Sequence, residues 1–260
     1  MSTALAVVLA AGFAAAGWRA GALTATGALA ATLVGTGVLT SAGWPGAAVL
    51  GAFFVSSSGV SRVRPPAPAV GDAKGERRDH WQVLANGGPA ALGALLARDQ
   101  PTLALWITTA SLAAAAADTW ATSIGAWSRS MPRHLLTWRP VPPGTSGGIT
   151  LYGCLGAAGG ALLVAGTGAL AGHDPRLWPL AAIGFGGMVV DSALGATAQG
   201  RFRCGACGEP SEWRVHRCGA VTIREGGWRW LDNDGVNALA TMLAALAGWV
   251  SWAWLSAGWR

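Results

Sequence analysis

The chain of 260 residues is 52% hydrophobic and only 12% charged, with 39 glycines and 15 tryptophans. A soluble domain carries roughly a quarter of its residues as Asp, Glu, Lys or Arg, so this composition excludes an ordinary water-soluble globule and points to a chain built for a bilayer. The net charge of +6 does not indicate nucleic acid, because Lys and Arg fall between apolar runs instead of along one solvated face.

Apolar runs place membrane spans at residues 2–17, 21–42, 44–60, 83–97, 101–127, 150–171, 177–198 and 236–258, taking about 20 residues as a crossing. The expected architecture is all-α, a polytopic bundle of about eight transmembrane helices forming a single domain over residues 1–260. The first run lacks a basic leader, which favours a retained span over a cleaved signal. If the loops after spans one, three, five and seven share a side, that side holds Arg19, Arg62, Arg64, Lys74, Arg77, Arg78, Arg129, Arg133, Arg139, Arg201, Arg203, Arg214, Arg217, Arg224 and Arg229. Only Arg98, Arg176 and Arg260 fall on the other. Basic residues accumulate on the cytoplasmic side, so this distribution expects both termini outside a cell (inner) membrane and long cytoplasmic loops at about 61–82, 128–149 and 199–235. Glycines inside spans, including Gly153, Gly156, Gly159, Gly160, Gly184, Gly186 and Gly187, let helices approach closely.

Against that apolar background four polar groups stand out. Asn86 comes just inside span four, Asp118 near the end of span five, Asp191 near the end of span seven, and Asp232, Asn233, Asp234 and Asn237 at the start of span eight. All fall in the inner leaflet or at its surface. An ionisable residue at membrane depth costs a few kcal/mol on insertion scales, so it marks a site, a pairing with Arg or a capped helix break. Carboxylates gathered in one layer repel unless a cation lies among them, and Asp and Asn oxygens suit Mg2+, which completes its shell with water and phosphate. Acids at the start of span eight also suit the helix dipole without any chemistry.

The loops hold candidate phosphate partners. Gly144-Thr145-Ser146-Gly147-Gly148 precedes span six and reads either as an anion-binding turn or as a flexible connector. Lys74, Arg77 and Arg78, close to Gln82, read as phosphate ligands or as membrane anchors. In the last cytoplasmic loop Cys204, Cys207, His216 and Cys218 have the ligand set of a small structural Zn2+ site, or are free thiols; a disulfide is disfavoured in a reducing compartment.

Taken in order, Gln82-Val83-Leu84-Ala85-Asn86-Gly87, Ala117-Asp118-Thr119-Trp120-Ala121, Gly144 to Gly148, Asp191 to Ala196 and Asp232 to Asn237 resemble the successive motifs of the integral-membrane family catalogued as domain of unknown function 92, whose plant member is a phytyl-phosphate kinase. The resemblance implies transfer of a phosphoryl group from a nucleoside triphosphate, CTP favoured, to an isoprenoid monophosphate. It implies Asp118, Asp191 and Asp234 as Mg2+ ligands, with Asn86 in the catalytic set. Lys74, Arg77, Arg78, Gln82, Asn237 and Gly144 to Gly148 are then expected at the phosphates. One departure stands beside it: where the family motif usually has Glu, this chain has Ser123. A transporter or flippase using the same acids, and a non-catalytic relative, are the competing expectations.

Overall fold

The computed structural model describes residues 1–65, 77–211, 214–216 and 218–257. Among these are seven α-helices: α1 (Thr3–Arg19), α2 (Ala25–Arg62), α3 (His80–Leu96), α4 (Pro101–Gly125), α5 (Leu151–Gly172), α6 (Leu177–Thr197) and α7 (Asn233–Ala257). The sequence expectation of separate spans at 21–42 and 44–60 meets α2, which is continuous except at Gly43, where φ is 64° and ψ is −151°. Such a backbone is open to glycine and strained for any other residue, and Pro45 follows it. A straight helix of this length would run about 57 Å. Instead it doubles back: a methyl group on Gly17 would lie 3.1 Å from both Leu23 and Phe54, near opposite ends of α2. The chain therefore forms eight helical limbs, α2 supplying two as a hairpin over residues 25–42 and 44–62.

The limbs alternate in direction. At one end, Arg62 donates to the Ala20 carbonyl, Arg78 N–H to Ala22, and Ser61 Oγ lies 3.5 Å from Ser123 Oγ. The same end holds the close approach of Gly125 to Gly153 and of Gly147 to Ala196. At the opposite end Arg176 lies 5.2 Å over the rings of Trp106 and Trp252, braced by a bidentate bond to Asp174. The basic loops thus gather at one end, as the charge distribution demanded.

α4 is the axis, packed on α2, α3, α5, α6 and α7. It is buried without interruption from Leu103 to Ala117. The interior is built of Ala and Gly, and the large side chains point out: Leu29, Leu33, Val55, Leu155, Leu170 and Val250 are all exposed. This inversion suits a lipid surround, where close backbone packing holds helices together and Leu or Val faces acyl chains. The glycine stripe of α5 lies on α4: added methyls at Gly156 and Gly160 would meet the Trp120 and Ala116 carbonyls at 2.7 and 2.8 Å. Gly184 packs on Ala113 in the same way, whereas Gly186 faces open space and has no packing role.

Four helices, α2, α5, α6 and α7, are long and apolar enough to cross a membrane by length and composition, and α1 is a shorter apolar helix. The enclosed, Ala-rich α4 needs no such hydropathy, because its neighbours separate it from lipid. The large loops carry small sheets that the spacing of apolar residues did not predict. β1 (Arg133–His134) pairs with β2 (Gly148–Ile149), and β3 (Arg201–Cys204) lies between β4 (Pro210–Ser211) and β5 (Thr222–Gly226).

Candidate active site

A buried ladder of hydroxyls sets the height of each polar residue. Ser111 of α4 donates to the Thr241 carbonyl of α7 at 3.0 Å, and Thr241 Oγ1 donates to the Ala85 carbonyl of α3 at 2.8 Å. From this level Asp118 lies two turns along α4 and Asp234 two turns back along α7, both about 10 Å toward the basic end. Asn237 is one turn from Thr241 and Asn86 follows Ala85. On α6, Gly187 packs against Ala114, so Asp191 and Asp118 each stand one turn beyond that contact. Their carboxyl groups lie within hydrogen-bonding reach of each other. Asp191 Oδ2 is buried and, among the described residues, takes no hydrogen bond.

Asp118 and Asp191 thus lie side by side, with the buried Asp234 at a matching height on α7 and the buried Asn237 about one turn deeper. α4 leaves the core at Asp118, where Asp118, Thr119 and Trp120 become part-exposed. Two carboxyl groups in contact repel unless a proton or cation lies between them, and an orphaned buried oxygen supplies a free ligand position.

The glycine turn comes to this layer by a route that differs from the sequence expectation. Thr150 Oγ1 caps α5 by accepting from Gly153, so the turn is not aimed along the α5 N-terminus. It lies instead on the end of α6. Gly147, at φ 77°, sits so near Ala196 that an added methyl would meet its Cβ at 2.5 Å, and the Gly195 position faces Ser146. Asp191 is one turn away. Within the turn Thr145 and Gly148 donate to Pro142 and Thr145, a use to which the N–H groups of Ser146 and Gly147 are not put.

Other expected phosphate partners are engaged elsewhere. Gln82 forms a capping box with Asp79, each side chain bonded to the other's backbone N–H. The Asn86 amide donates to the Gln82 carbonyl at 2.9 Å. Arg77 donates through Nε and Nη2 to the Leu23 carbonyl at 3.1 and 2.8 Å. Arg78 lies 5.4 and 5.9 Å over the rings of Phe53 and Phe54. Burial pushes its guanidinium down to about 10, still protonated at neutral pH. These arginines hold the α1–α2 corner against the start of α3, a structural duty that bare charge in sequence did not reveal. Lys74 lies outside the described residues. Asp232 accepts from the Gly235 N–H at 2.9 Å and so caps α7.

Ser123 is buried, with its Oγ 3.5 Å from Ser61 Oγ. Sequence reasoning passed over Ser61, Ser111 and Thr241; a hydroxyl deep in an apolar run was the available signal.

Beside the acid layer, Cys204, Cys207, His216 and Cys218 converge, with all four potential ligand atoms within 4.8 Å of one another. The Cys207 and Ala206 N–H groups aimed at Cys204 hold its thiol down to about 6. This loop is tied to the helices that carry the acids: Gly200 N–H donates to Leu231 at 2.8 Å and Trp228 N–H to Ala198 at 2.7 Å.

The chain matches the family model described as integral membrane protein DUF92 over residues 8–245. It is 30% identical to Protein PGR of Arabidopsis thaliana, with 86% of each chain covered. It is also 31% identical to an uncharacterised membrane protein of Methanocaldococcus jannaschii, covering 85% of this chain and 82% of that one. A third relative, an uncharacterised membrane protein of Synechocystis, is 27% identical over 83% of this chain and 77% of its own length. No solved structure matches. A family match over residues 8–245 means that this protein belongs to the DUF92 family of integral membrane proteins.

Proposed function

We propose that this protein is a membrane phosphotransferase that converts an isoprenoid monophosphate to its diphosphate at the expense of a nucleoside triphosphate such as CTP. The observation that carries the reading is the Asp118–Asp191 pair with its orphaned Asp191 oxygen, about one turn along α6 from the Gly147 turn. In the same proposal all eight helical limbs cross the bilayer, the basic end is cytoplasmic, and the isoprenoid tail lies among the helices.

Asp118 and Asp191, with Asp234 on the facing helix, would hold Mg2+. The ion supplies charge neutralisation on the transferring phosphoryl group. The remaining tasks fall to the chain. Ser146 and Gly147 offer backbone N–H groups to anionic oxygens. Arg77, exposed and keeping Nη1 beyond its two bonds to Leu23, draws phosphates toward the basic end. Asn86 and Asn237 line the deeper side with amide dipoles, and the Ala-rich wall above excludes water. An oxygen of the lipid phosphate attacks the γ-phosphorus, the bond to the β–γ bridging oxygen breaks, and the nucleoside diphosphate leaves with that electron pair. Such a transfer needs positioning and charge neutralisation and no nucleophilic side chain.

The test is incubation of detergent-purified protein with Mg2+, γ-labelled CTP or ATP, and phytyl or geranylgeranyl monophosphate. Label is expected in the lipid diphosphate, and to be lost in Asp118→Asn. Absence of lipid product with any nucleotide, from folded protein, would overturn the reading and leave transport of a phosphorylated lipid as its successor, measured by uptake into proteoliposomes.

A further inference from the structure

The geometry points to a structural Zn2+ site formed by Cys204, Cys207, His216 and Cys218, which fixes the small sheet linking α6 to α7. Three separations define the cluster: Cys204 Sγ to Cys218 Sγ is 3.5 Å, Cys207 Sγ to His216 Nδ1 is 3.5 Å, and His216 Nδ1 to Cys218 Sγ is 3.1 Å. Tetrahedral Zn2+, with bonds of about 2.3 Å to sulfur and about 2.0 Å to nitrogen, separates its ligands by roughly 3.5–3.8 Å. Those three separations are near that size, and all four ligand atoms lie within 4.8 Å of one another, so an ion would draw the set together. A disulfide is a poorer fit, since its sulfurs would sit about 2.05 Å apart.

The backbone is shaped for the same end. Cys204 closes β3 and Cys207 follows in a tight turn, where Gly208 N–H donates to the Cys204 carbonyl at 3.0 Å. Facing it, Gly219 N–H donates to the His216 carbonyl at 2.8 Å, in a turn closed by the Val215–Val221 bridge. Gly208 and Gly219 take φ of 72° and 85°, which allows both turns to fold tightly around one point. Two such turns presenting three thiols and an imidazole form a closed four-ligand set with no position for substrate, so the ion folds the loop and does no chemistry.

The sheet is short-stranded and mostly exposed, with Phe202, Cys204 and Ser211 as the buried members of its strands. Its base, through Gly200–Leu231 and Trp228–Ala198, joins the end of α6 to the start of α7. Zn2+ therefore fixes the spacing of the two helices that carry Asp191 and Asp234. This inference rests on the cluster and does not depend on phosphoryl transfer.

The experiment uses the full chain, purified in detergent under reducing, chelator-free conditions. Elemental analysis is expected to find one Zn2+ per chain, and replacement by Co2+ to give thiolate charge-transfer bands and intense tetrahedral d–d bands. Cys207→Ser combined with His216→Ala is expected to lower retained Zn2+ at least tenfold. Chelation is expected to raise amide hydrogen exchange over residues 201–226 while exchange in α4 stays unchanged. Wild-type protein that retains no metal and shows no tetrahedral Co2+ spectrum would overturn the site, whatever the variants do. Zn2+ retained equally by the double variant would place the metal elsewhere, and unchanged exchange in 201–226 after metal loss would remove its folding role.

Discussion

Asp118 and Asp191 meet because α4 and α6 run in the same direction and pack through Ala114 and Gly187, one turn earlier on each. Neutralising either acid keeps its shape and its place in the packing while removing a charge that a bound cation requires. Asp118→Asn and Asp191→Asn are each expected to lower phosphoryl transfer at least 100-fold while detergent Tm and expression hold, since neither substitution leaves a buried charge unpaired. Wild-type turnover in both would remove the pair from the site. Arg78 makes the opposite case. Its guanidinium covers Phe53 and Phe54 and its backbone pairs with Ala22 and Thr24, so Arg78→Ala is expected to lose about 1–2 kcal/mol of stability through packing and cation–π contact. Thermal unfolding reads this loss. A selective rise in nucleotide KM at unchanged Tm would instead make Arg78 a phosphate ligand. The acids were legible because charge is rare in apolar runs, whereas a basic residue in a loop looks the same whether it binds phosphate, anchors a membrane or braces a corner. Gln82 was misread for another reason: Asp79-x-x-Gln82 is a capping-box pattern, and its closeness to Asn86 drew attention from it.

At the scale of elements, four of the helices are long and apolar enough to cross a membrane. The helical limbs were legible down to the Gly43–Trp44 break, because long apolar runs favour helix and a Gly with a left-handed backbone, followed two residues on by Pro, breaks one. The little sheets were not, since strands of two to five residues leave no periodic signal. The turn at Gly144 to Gly148 was found by composition and placed wrongly, because sequence order put it before α5 and the fold laid it on α6. That contact makes a prediction. Gly147 has both a left-handed backbone and no room for Cβ, so Gly147→Ala adds roughly 1–2 kcal/mol of strain and pushes the turn off Ala196. If the turn binds phosphate, kcat/KM for the nucleotide is expected to fall at least tenfold, mostly through KM, at Mg2+ saturation. Gly144→Ala strains the backbone without that contact and is expected to cost less. Equal kinetics in wild type and Gly147→Ala would return the turn to the role of a connector.

For the molecule as a whole, Ala and Gly inside, Leu and Val outside and basic loops at one end form a consistent set. Small residues permit close packing in lipid, and the charge asymmetry orients the bundle. Both were readable as composition and loop counts, but the packing of α6 on α4 that sets Asp191 beside Asp118 was not, since the pairing of helices depends on contacts that a single sequence does not display. The proposed orientation rests on arginine placement and is checked on intact cells with a membrane-impermeant maleimide. Native Cys207 and Cys218 are exposed in a loop at the basic end, so they are expected to stay unlabelled from outside. Gln100→Cys, exposed at the opposite end between α3 and α4, is expected to be labelled. Permeabilisation should then expose the native thiols to the extent that Zn2+ leaves them free, so the reaction is run after chelation. Labelling of the native loop in intact cells, with Gln100→Cys silent, would invert the bundle and put the acid layer on the external side, where nucleoside triphosphates are scarce and a phosphotransferase has no donor.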